Sequence, residues 1–230
     1  MLNTESALRH AQVYRFLTEV FLYPQEDWTQ DLSEFAALAD GLAPRLAELP
    51  ERGLDDLQSA YRHKFGMTGS LCYETEYGLP HEFRQSQELA DIAGFYRAFG
   101  FEIGGAVHER PDHIASELEF MYVLALKQAY ALERGLCEQA EVCDEAQRNF
   151  LRDHLARWIN LFAERLAQNN DDETYRTLAQ FAATFVRRDA EARGLQIEPR
   201  RLIEVMPTPP GPDMSTCGDC PVEEFAAGVE

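Results

Sequence analysis

The residues best suited to chemistry lie together at positions 109–119, in the order Glu-Arg-Pro-Asp-His-Ile-Ala-Ser-Glu-Leu-Glu. Pro111 fixes its own φ angle and disfavours helix at the residue before it, so a stiff turn should lead into a helix. Asp112 near that helix N-terminus is favoured by the helix dipole and could orient His113 through a hydrogen bond. Glu117, four residues after His113, could pair with the protonated imidazole. Such an Asp-His-Glu set is suited to acid–base catalysis, and its structural alternative is the start of a helix.

A second group combines acids with aromatic rings. Tyr61 and Phe65 stand four residues apart on a predicted helix, and the loop after it contains the run Tyr-Glu-Thr-Glu-Tyr, which includes Glu74 and ends at Tyr77. Loops present side chains for binding while helices supply the scaffold, so these residues are candidates for contact with a partner. The alternative interpretation is that the two tyrosines of the run hold the loop against the core.

Sequence signatures of the common enzyme classes are absent. The chain contains no dinucleotide fingerprint, P-loop, His-Glu-x-x-His zinc motif or Gly-x-Ser-x-Gly elbow. None of the six histidines follows a glutamate by three positions, as di-metal helical bundles require. Cys217 and Cys220 form a Cys-x-x-Cys pair, but no second pair or nearby histidine pair completes a zinc site. These absences predict no metal site and two exposed thiols near the C-terminus, and we expect no cofactor.

The elements that must position these residues are helices, because apolar residues recur at three- and four-residue spacing along most of the chain. The predicted helices cover about residues 4–23, 28–36, 42–49, 54–65, 83–99, 112–134, 150–166 and 171–188. Residues 66–80 are predicted to be loop, 100–111 a Gly-rich connection, and 135–144 show no clear pattern. No strand alternation of useful length occurs. The sequence therefore predicts an all-α, bundle-like domain of roughly eight to ten helices.

Charge and composition indicate an acidic globular protein whose C-terminal end is richer in proline than the rest of the chain. The 230 residues include 40 Asp and Glu against 21 Lys and Arg, for a formal net charge of −19. That charge argues against nucleic-acid binding and favours a basic partner. From residue 195 onward lie six of the eleven prolines and seven acids against two arginines. We therefore predict a helical domain over residues 1–194 and a flexible acidic tail over 195–230.

Three features predict a cytoplasmic protein. The N-terminus lacks a basic segment followed by an apolar one, so it does not resemble a signal peptide. The longest wholly apolar run, residues 120–126, is too short to cross a bilayer, so no stable membrane insertion is expected. The five cysteines are odd in number and widely scattered, which favours reduced thiols.

At the two clusters the sequence resembles the redox-enzyme maturation chaperones of the TorD/DmsD/NarJ-like family. In chain order, the matching features are Tyr61 and Phe65 on a helix, the loop from Tyr73 to Tyr77, and the motif from Glu109 to His113 that leads into Glu117, Leu118 and Met121. The resemblance covers about residues 5–190 in helical layout. The fuller Tyr-Glu-Thr-Glu-Tyr-Gly run looks like the branch that serves type II dimethyl sulfoxide reductase-family enzymes. Where the family often has prolines before the Tyr-Glu pair, this chain has Leu71 and Cys72.

The resemblance implies an all-helical chaperone without catalytic activity. Such a protein binds the precursor of a molybdopterin oxidoreductase catalytic subunit, including its twin-arginine signal peptide, assists insertion of the molybdenum cofactor and delays export. The residues expected to form its partner-binding surface are Tyr61, Phe65, Glu74, Tyr77, Pro111, Asp112, His113 and Glu117. The connection around residues 100–112 could act as a hinge, so we expect a monomer with a minor dimer formed by exchange of the C-terminal helices.

Two alternatives remain open from the residues alone. One is a small helical hydrolase or nucleotide-using enzyme centred on Asp112, His113 and Glu117, which would turn over substrate with no partner protein. The other is a structural subunit that stays with the mature redox complex and copurifies with the exported enzyme.

Overall fold

Apolar residues at three- and four-residue spacing do form helices in the computed structural model, which describes residues 3–39, 41–42, 44–65, 72–77, 82–103, 109–168 and 172–200. The helices are α1 (Thr4–Val20), α2 (Leu32–Leu38), α3 (Leu54–Phe65), α4 (Glu82–Ala98), α5 (Ile114–Glu133), α6 (Cys137–Phe150), α7 (Ala156–Gln168) and α8 (Glu173–Ala192). Short 3₁₀ turns occur at Trp28–Asp31, Pro44–Glu48 and Glu74–Glu76, and a π turn at Leu151–Leu155. Across these ranges the only β pairing is one isolated bridge, so the all-α prediction is confirmed. No helix in the described ranges combines the length and apolar character needed to cross a bilayer.

Helix α5 lies at the centre of the fold. It packs along α1 and along α6, while α7 packs along α8. Twelve of its twenty residues are buried, which is more than the single apolar stripe of a surface helix. Since α5 is enclosed in this way, its first turn gives a fixed point of attachment for the loop at residues 72–77, whose Cys72 carbonyl oxygen accepts from the N–H of Ile114.

The prediction for residues 135–144 was incomplete, because helix α6 begins at Cys137. Its buried positions before Phe150 carry small or polar side chains, namely Ala140, Cys143, Ala146 and Gln147. Between residues 137 and 149 the only large apolar residue is Val142, which is exposed, so no row of large apolar residues marks a helix there. The chain then continues through the π turn into α7, which makes one long helical segment from residue 137 to residue 168.

The predicted flexible tail begins too early. Residues 195–200 form no helix, yet Leu195 and Ile197 pack against the core. The backbone N–H of Arg200 donates to the carbonyl oxygen of Arg157 at 2.8 Å, and the Arg200 side chain is buried. The ordered domain therefore extends at least to residue 200. The rest of the predicted tail, including Cys217 and Cys220, lies outside the described residues, as does the middle of the 100–111 connection.

Candidate functional site

The two clusters singled out by the sequence meet in the structure. The backbone N–H of Glu74 donates to the carbonyl oxygen of Asp112 at 2.8 Å, and the N–H of Ile114 donates to that of Cys72 at 2.7 Å. Between them, Tyr73 and His113 form the isolated antiparallel bridge. The Tyr-Glu-Thr-Glu-Tyr loop is therefore attached directly to the turn that starts α5.

Asp112 fastens this attachment through its side chain. It is fully buried, and its Oδ2 accepts hydrogen bonds from Thr75 Oγ1 at 2.7 Å and from Arg110 Nη2 at 2.8 Å. Arg110 Nε donates to Oδ1 at 3.0 Å. The expectation that Asp112 orients His113 is wrong, because both of its carboxylate oxygens bind Arg110 and Thr75 instead.

His113 caps helix α5. Its Nδ1 accepts a hydrogen bond from the backbone N–H of Ala115 at 3.2 Å, so the helix begins at Ile114 rather than at Asp112. Burial lowers the pKa of His113, and a neutral imidazole is the form whose Nδ1 can accept. The proton then sits on Nε2, which lies 4.0 Å from Glu109 Oε2.

Glu117 turns into the core instead of pairing with His113, which corrects the expected Asp-His-Glu arrangement. Its Oε2 accepts a hydrogen bond from Trp158 Nε1 at 3.0 Å, and the side chain is fully buried. Burial raises the pKa of Glu117 well above its ordinary value, and the charge of Glu74 adds to the rise. Its environment therefore favours the protonated form of this carboxyl group.

Glu74 sits in a buried polar pocket. Its Oε2 lies 3.1 Å from His154 Nδ1, and its Oε1 accepts a hydrogen bond from Arg200. Arg200 Nη1 also donates to Glu88 Oε2 at 3.0 Å. Burial by itself would raise the pKa of Glu74, but His154 and Arg200 hold it below its ordinary value. The π turn Leu151–Leu155 carries His154 into this pocket, which consists of Glu74, Glu88, His154 and Arg200 and is called the Glu74 pocket below.

Tyr77 attaches the Tyr-Glu-Thr-Glu-Tyr loop to the core, and Pro111 attaches the turn before α5 to α4. The Tyr77 ring is fully buried and packs on Trp158, with ring centroids 5.1 Å apart. The carbonyl oxygen of Pro111 accepts a hydrogen bond from the Tyr96 hydroxyl at 2.7 Å. For Tyr77, the interpretation that it holds the loop against the core is the one the structure supports.

Tyr61 and Phe65 contact elements outside the junction of the loop and the turn. The Tyr61 hydroxyl donates to the carbonyl oxygen of Phe21 at 3.3 Å, and its ring packs edge-on against Tyr23. The Phe65 ring packs against Tyr175 at 5.3 Å between centroids. Both residues are half-buried; Tyr61 braces the chain that follows α1, whereas Phe65 packs on α8.

A cleft of about 840 Å³ opens between the end of α1, the segment after it and the first turns of α5. Six carboxylates line this acidic cleft: Glu19, Glu26, Asp27, Asp31, Glu109 and Glu119. The one basic side chain among its described lining residues is Arg15, whose Nε donates to Glu19 at 2.9 Å. Its apolar lining includes Leu22, Tyr23, Pro24, Trp28 and Ile103. A cavity of this size with acids and apolar surface side by side fits a basic segment that also carries apolar side chains.

None of the eight residues predicted as the partner-binding surface is among the described lining residues of the acidic cleft. Five of them, Glu74, Tyr77, Asp112, His113 and Glu117, are at most 2% exposed, so the expectation that they form an exposed surface is wrong. Each of the five has its contacts inside the protein instead. His113 caps the helix turn whose Ala115, Ser116 and Glu119 line it.

Sequence reasoning missed the opposite wall of the cleft. Glu26, Asp27 and Asp31 surround Trp28 in the short run after Pro24, and this run contributes five lining residues. Acids grouped around a tryptophan outside the long helices are the signal that could have found it. Arg200 was also missed, because it lies in a stretch whose composition is typical of disorder.

Comparison with known sequences identifies the family of this chain. The chain belongs to the nitrate reductase delta subunit family, whose sequence profile matches residues 25–164. It is 30% identical over 176 residues to the chlorate reductase assembly chaperone protein of Ideonella dechloratans, covering 76% of this chain and 82% of that protein. It is 29% identical over 165 residues to the selenate reductase assembly chaperone protein of Thauera selenatis, covering 68% and 76%. The chaperone protein TorD of Vibrio cholerae is 29% identical over 106 residues, 46% of each chain.

These relatives confirm the predicted resemblance to maturation chaperones of redox enzymes. The chain is therefore a chaperone of this family and not an enzyme. The hydrolase alternative centred on Asp112, His113 and Glu117 is not supported, because the three side chains have separate partners and the relatives are named as chaperones.

Proposed function

We propose that this protein works in the cytoplasm on the precursor of a molybdenum-cofactor oxidoreductase catalytic subunit. It holds the twin-arginine signal peptide of that subunit in the acidic cleft, assists insertion of the cofactor and delays export. The observation that carries the proposal is the cleft itself, where six carboxylates stand beside partly buried apolar side chains. The relatives named as assembly chaperones of chlorate and selenate reductases support a client of the oxidoreductase class.

The chemistry of a twin-arginine leader matches the two kinds of side chain that line the cleft, acidic and apolar. A leader of this kind has a basic segment followed by an apolar one. The carboxylates supply long-range attraction and register for the arginines, while the apolar lining removes hydrophobic surface of the leader from water. Laying an amphipathic segment into a groove is a known way to recognise peptides. The net charge of −19 would speed the encounter with a basic leader.

In this proposal the eight residues predicted from the sequence act as positioning residues for the partner-binding cleft. Asp112, His113 and Pro111 set the start of α5, whose first turns form one wall. Tyr61 braces the segment after α1, which forms the opposite wall. Glu74, Tyr77, Glu117 and Phe65 tie these supports to the core.

A pull-down that compares three forms of the client catalytic subunit tests the proposal. The forms are the precursor, the same subunit without its leader, and the mature exported enzyme. We expect the protein to retain the precursor most strongly, the leaderless form weakly and the exported enzyme not at all. Equal retention of precursor and leaderless subunit would contradict leader binding. Stoichiometric copurification with the exported enzyme would instead indicate a structural subunit.

We further propose that the protein is a monomer with a minor dimer in which the helices after residues 100–112 are exchanged. The reason is that α1 and α5 pack closely although this connection separates them along the chain. Size exclusion with light scattering should show the dimer rising with concentration. A single monomer peak at every concentration would contradict the exchange.

A further inference from the structure

A separate apolar depression lies between α4 and α6. It measures about 370 Å³. Phe95, Phe99 and Val142 supply its apolar surface, and Asp91 and Glu145 lie at its rim. Val142 is 55% exposed, which is unusual for a β-branched apolar residue beside two phenylalanine rings. This depression is called the α4–α6 groove.

The groove begins where the Glu74 pocket ends. Glu88 and Asp91 are one helical turn apart on α4, and Glu88 binds Arg200 while Asp91 Oδ2 lies 3.3 Å from His154 Nε2. The Phe95 ring packs on the His154 ring at 5.5 Å between centroids. Arg200 therefore brings the chain to the head of the groove.

The sequence that follows Arg200 fits the groove in length and chemistry. Residues 201–206 are Arg-Leu-Ile-Glu-Val-Met, and a proline comes next. The groove runs along α4 from Asp91 to Phe99, which is about 12 Å at about 1.5 Å per helical residue. Six extended residues reach up to about 20 Å. Arg201 would meet the acidic rim, and Leu202, Ile203 and Val205 could cover the exposed phenylalanine and valine surface.

We propose that residues 201–206 of this chain occupy the α4–α6 groove, with Arg200 as the buried anchor. The anchor is fixed because its guanidinium neutralises the buried carboxylate of Glu74, and a buried charge is costly to leave unpaired. A segment tethered at such a point samples its neighbouring surface at high effective concentration. The groove thus serves as an internal docking site, which needs no client protein.

Disulfide trapping tests this docking in the full chain. Val142→Cys and Val205→Cys are introduced after the exposed Cys137 and the two tail cysteines, Cys217 and Cys220, are replaced by serine. Cys72 and Cys143 stay, because both are buried and burial raises the pKa of Cys143. With oxidised glutathione at micromolar protein, we expect the 142–205 disulfide to form at least tenfold faster than a control disulfide between Val205→Cys and Leu8→Cys. Leu8 is an exposed apolar residue of α1.

A second variant separates docking from random collision of the tail. Leu202→Asp with Ile203→Asp removes the apolar contacts but leaves Arg200 and the described domain unchanged. We expect this pair to slow the 142–205 disulfide severalfold and to leave the control disulfide unaffected. Equal rates for the two cysteine pairs, or no effect of the two aspartates, would overturn the proposal. A disulfide formed between two chains would also overturn it, since the segment would then belong to a second copy.

Discussion

The hydroxyl of Thr75 donates a hydrogen bond to Oδ2 of Asp112 at 2.7 Å, across 37 residues of sequence. The same oxygen accepts from Arg110, so one buried carboxylate joins the Tyr-Glu-Thr-Glu-Tyr loop to the turn before α5. The wall of the acidic cleft that α5 supplies depends on this junction, although Asp112 itself does not line the cleft.

The main effect of replacing Asp112 should therefore be a lower free energy of unfolding. Asp112→Ala leaves Thr75 and Arg110 without their shared acceptor, and we expect a loss of about 2 kcal/mol in the free energy of unfolding. Urea denaturation followed by circular dichroism measures it. Asp153→Ala is the control, because Asp153 forms an exposed ion pair with Arg152 and should cost less than about 1 kcal/mol. Equal losses for the two variants would contradict a structural role for Asp112.

The cap that His113 provides should be sensitive to pH. At pH 8, His113→Ala should be less stable than His113→Asn by about 1 kcal/mol, because asparagine is a good N-cap and alanine is not. The pKa of His113 is lowered by burial from its ordinary value of 6.5, so its contribution is fully present above pH 6.5 and is lost as the pH falls below it. Wild type should then lose stability relative to His113→Asn. If the difference in the free energy of unfolding between wild type and His113→Asn stays constant from pH 8 to pH 5, the proposed cap is contradicted.

Glu117 should show the opposite dependence. Its pKa is raised in the folded state, so the unfolded chain releases the proton near the ordinary value of 4.5 while the folded chain keeps it. Wild type should lose stability relative to Glu117→Gln as the pH rises above 4.5, by up to about 1.4 kcal/mol per pH unit. Urea unfolding between pH 5 and pH 8 measures the slope. Glu138→Gln, at an exposed position of α6, serves as the control and should give a flat difference; a flat difference for Glu117→Gln would show that Glu117 is ionised.

Most of the helices could be predicted because their buried faces carry large apolar residues. In α8, for example, Tyr175, Leu178 and Phe185 mark the buried face, and Asp172 caps the start as the acidic run at 171–173 suggests. The part of helix α6 before Phe150 was missed because its buried residues are small or polar. The segment 195–200 was assigned to the tail because composition reports an average over many residues and cannot show that one arginine meets a buried carboxylate.

The candidate site was only half predictable. The sequence identified the motif around Asp112 and His113 and the loop around Glu74, and the structure brings them together. It could not show which way each side chain points, since neighbouring residues on such a turn face opposite sides. Asp112 turns to Thr75 and His113 to the first turn of α5. The cleft was missed because its two walls, one from residues 15–31 and the other from Ile103, Glu109 and residues 115–119, meet through the packing of α1 on α5.

The central claim, that the acidic cleft binds a basic leader, is tested most directly by calorimetry with a twin-arginine signal peptide and two double variants of equal charge. Glu26→Gln with Asp31→Asn removes two exposed carboxylates of the cleft, and Glu138→Gln with Glu141→Gln removes two exposed carboxylates of α6. We expect the cleft variant to bind about fivefold more weakly, with a smaller dependence of Kd on salt, since about 1 kcal/mol of charge attraction is lost. The α6 variant should bind within about twofold of wild type. Equal weakening by both variants, or no weakening by either, would contradict the account.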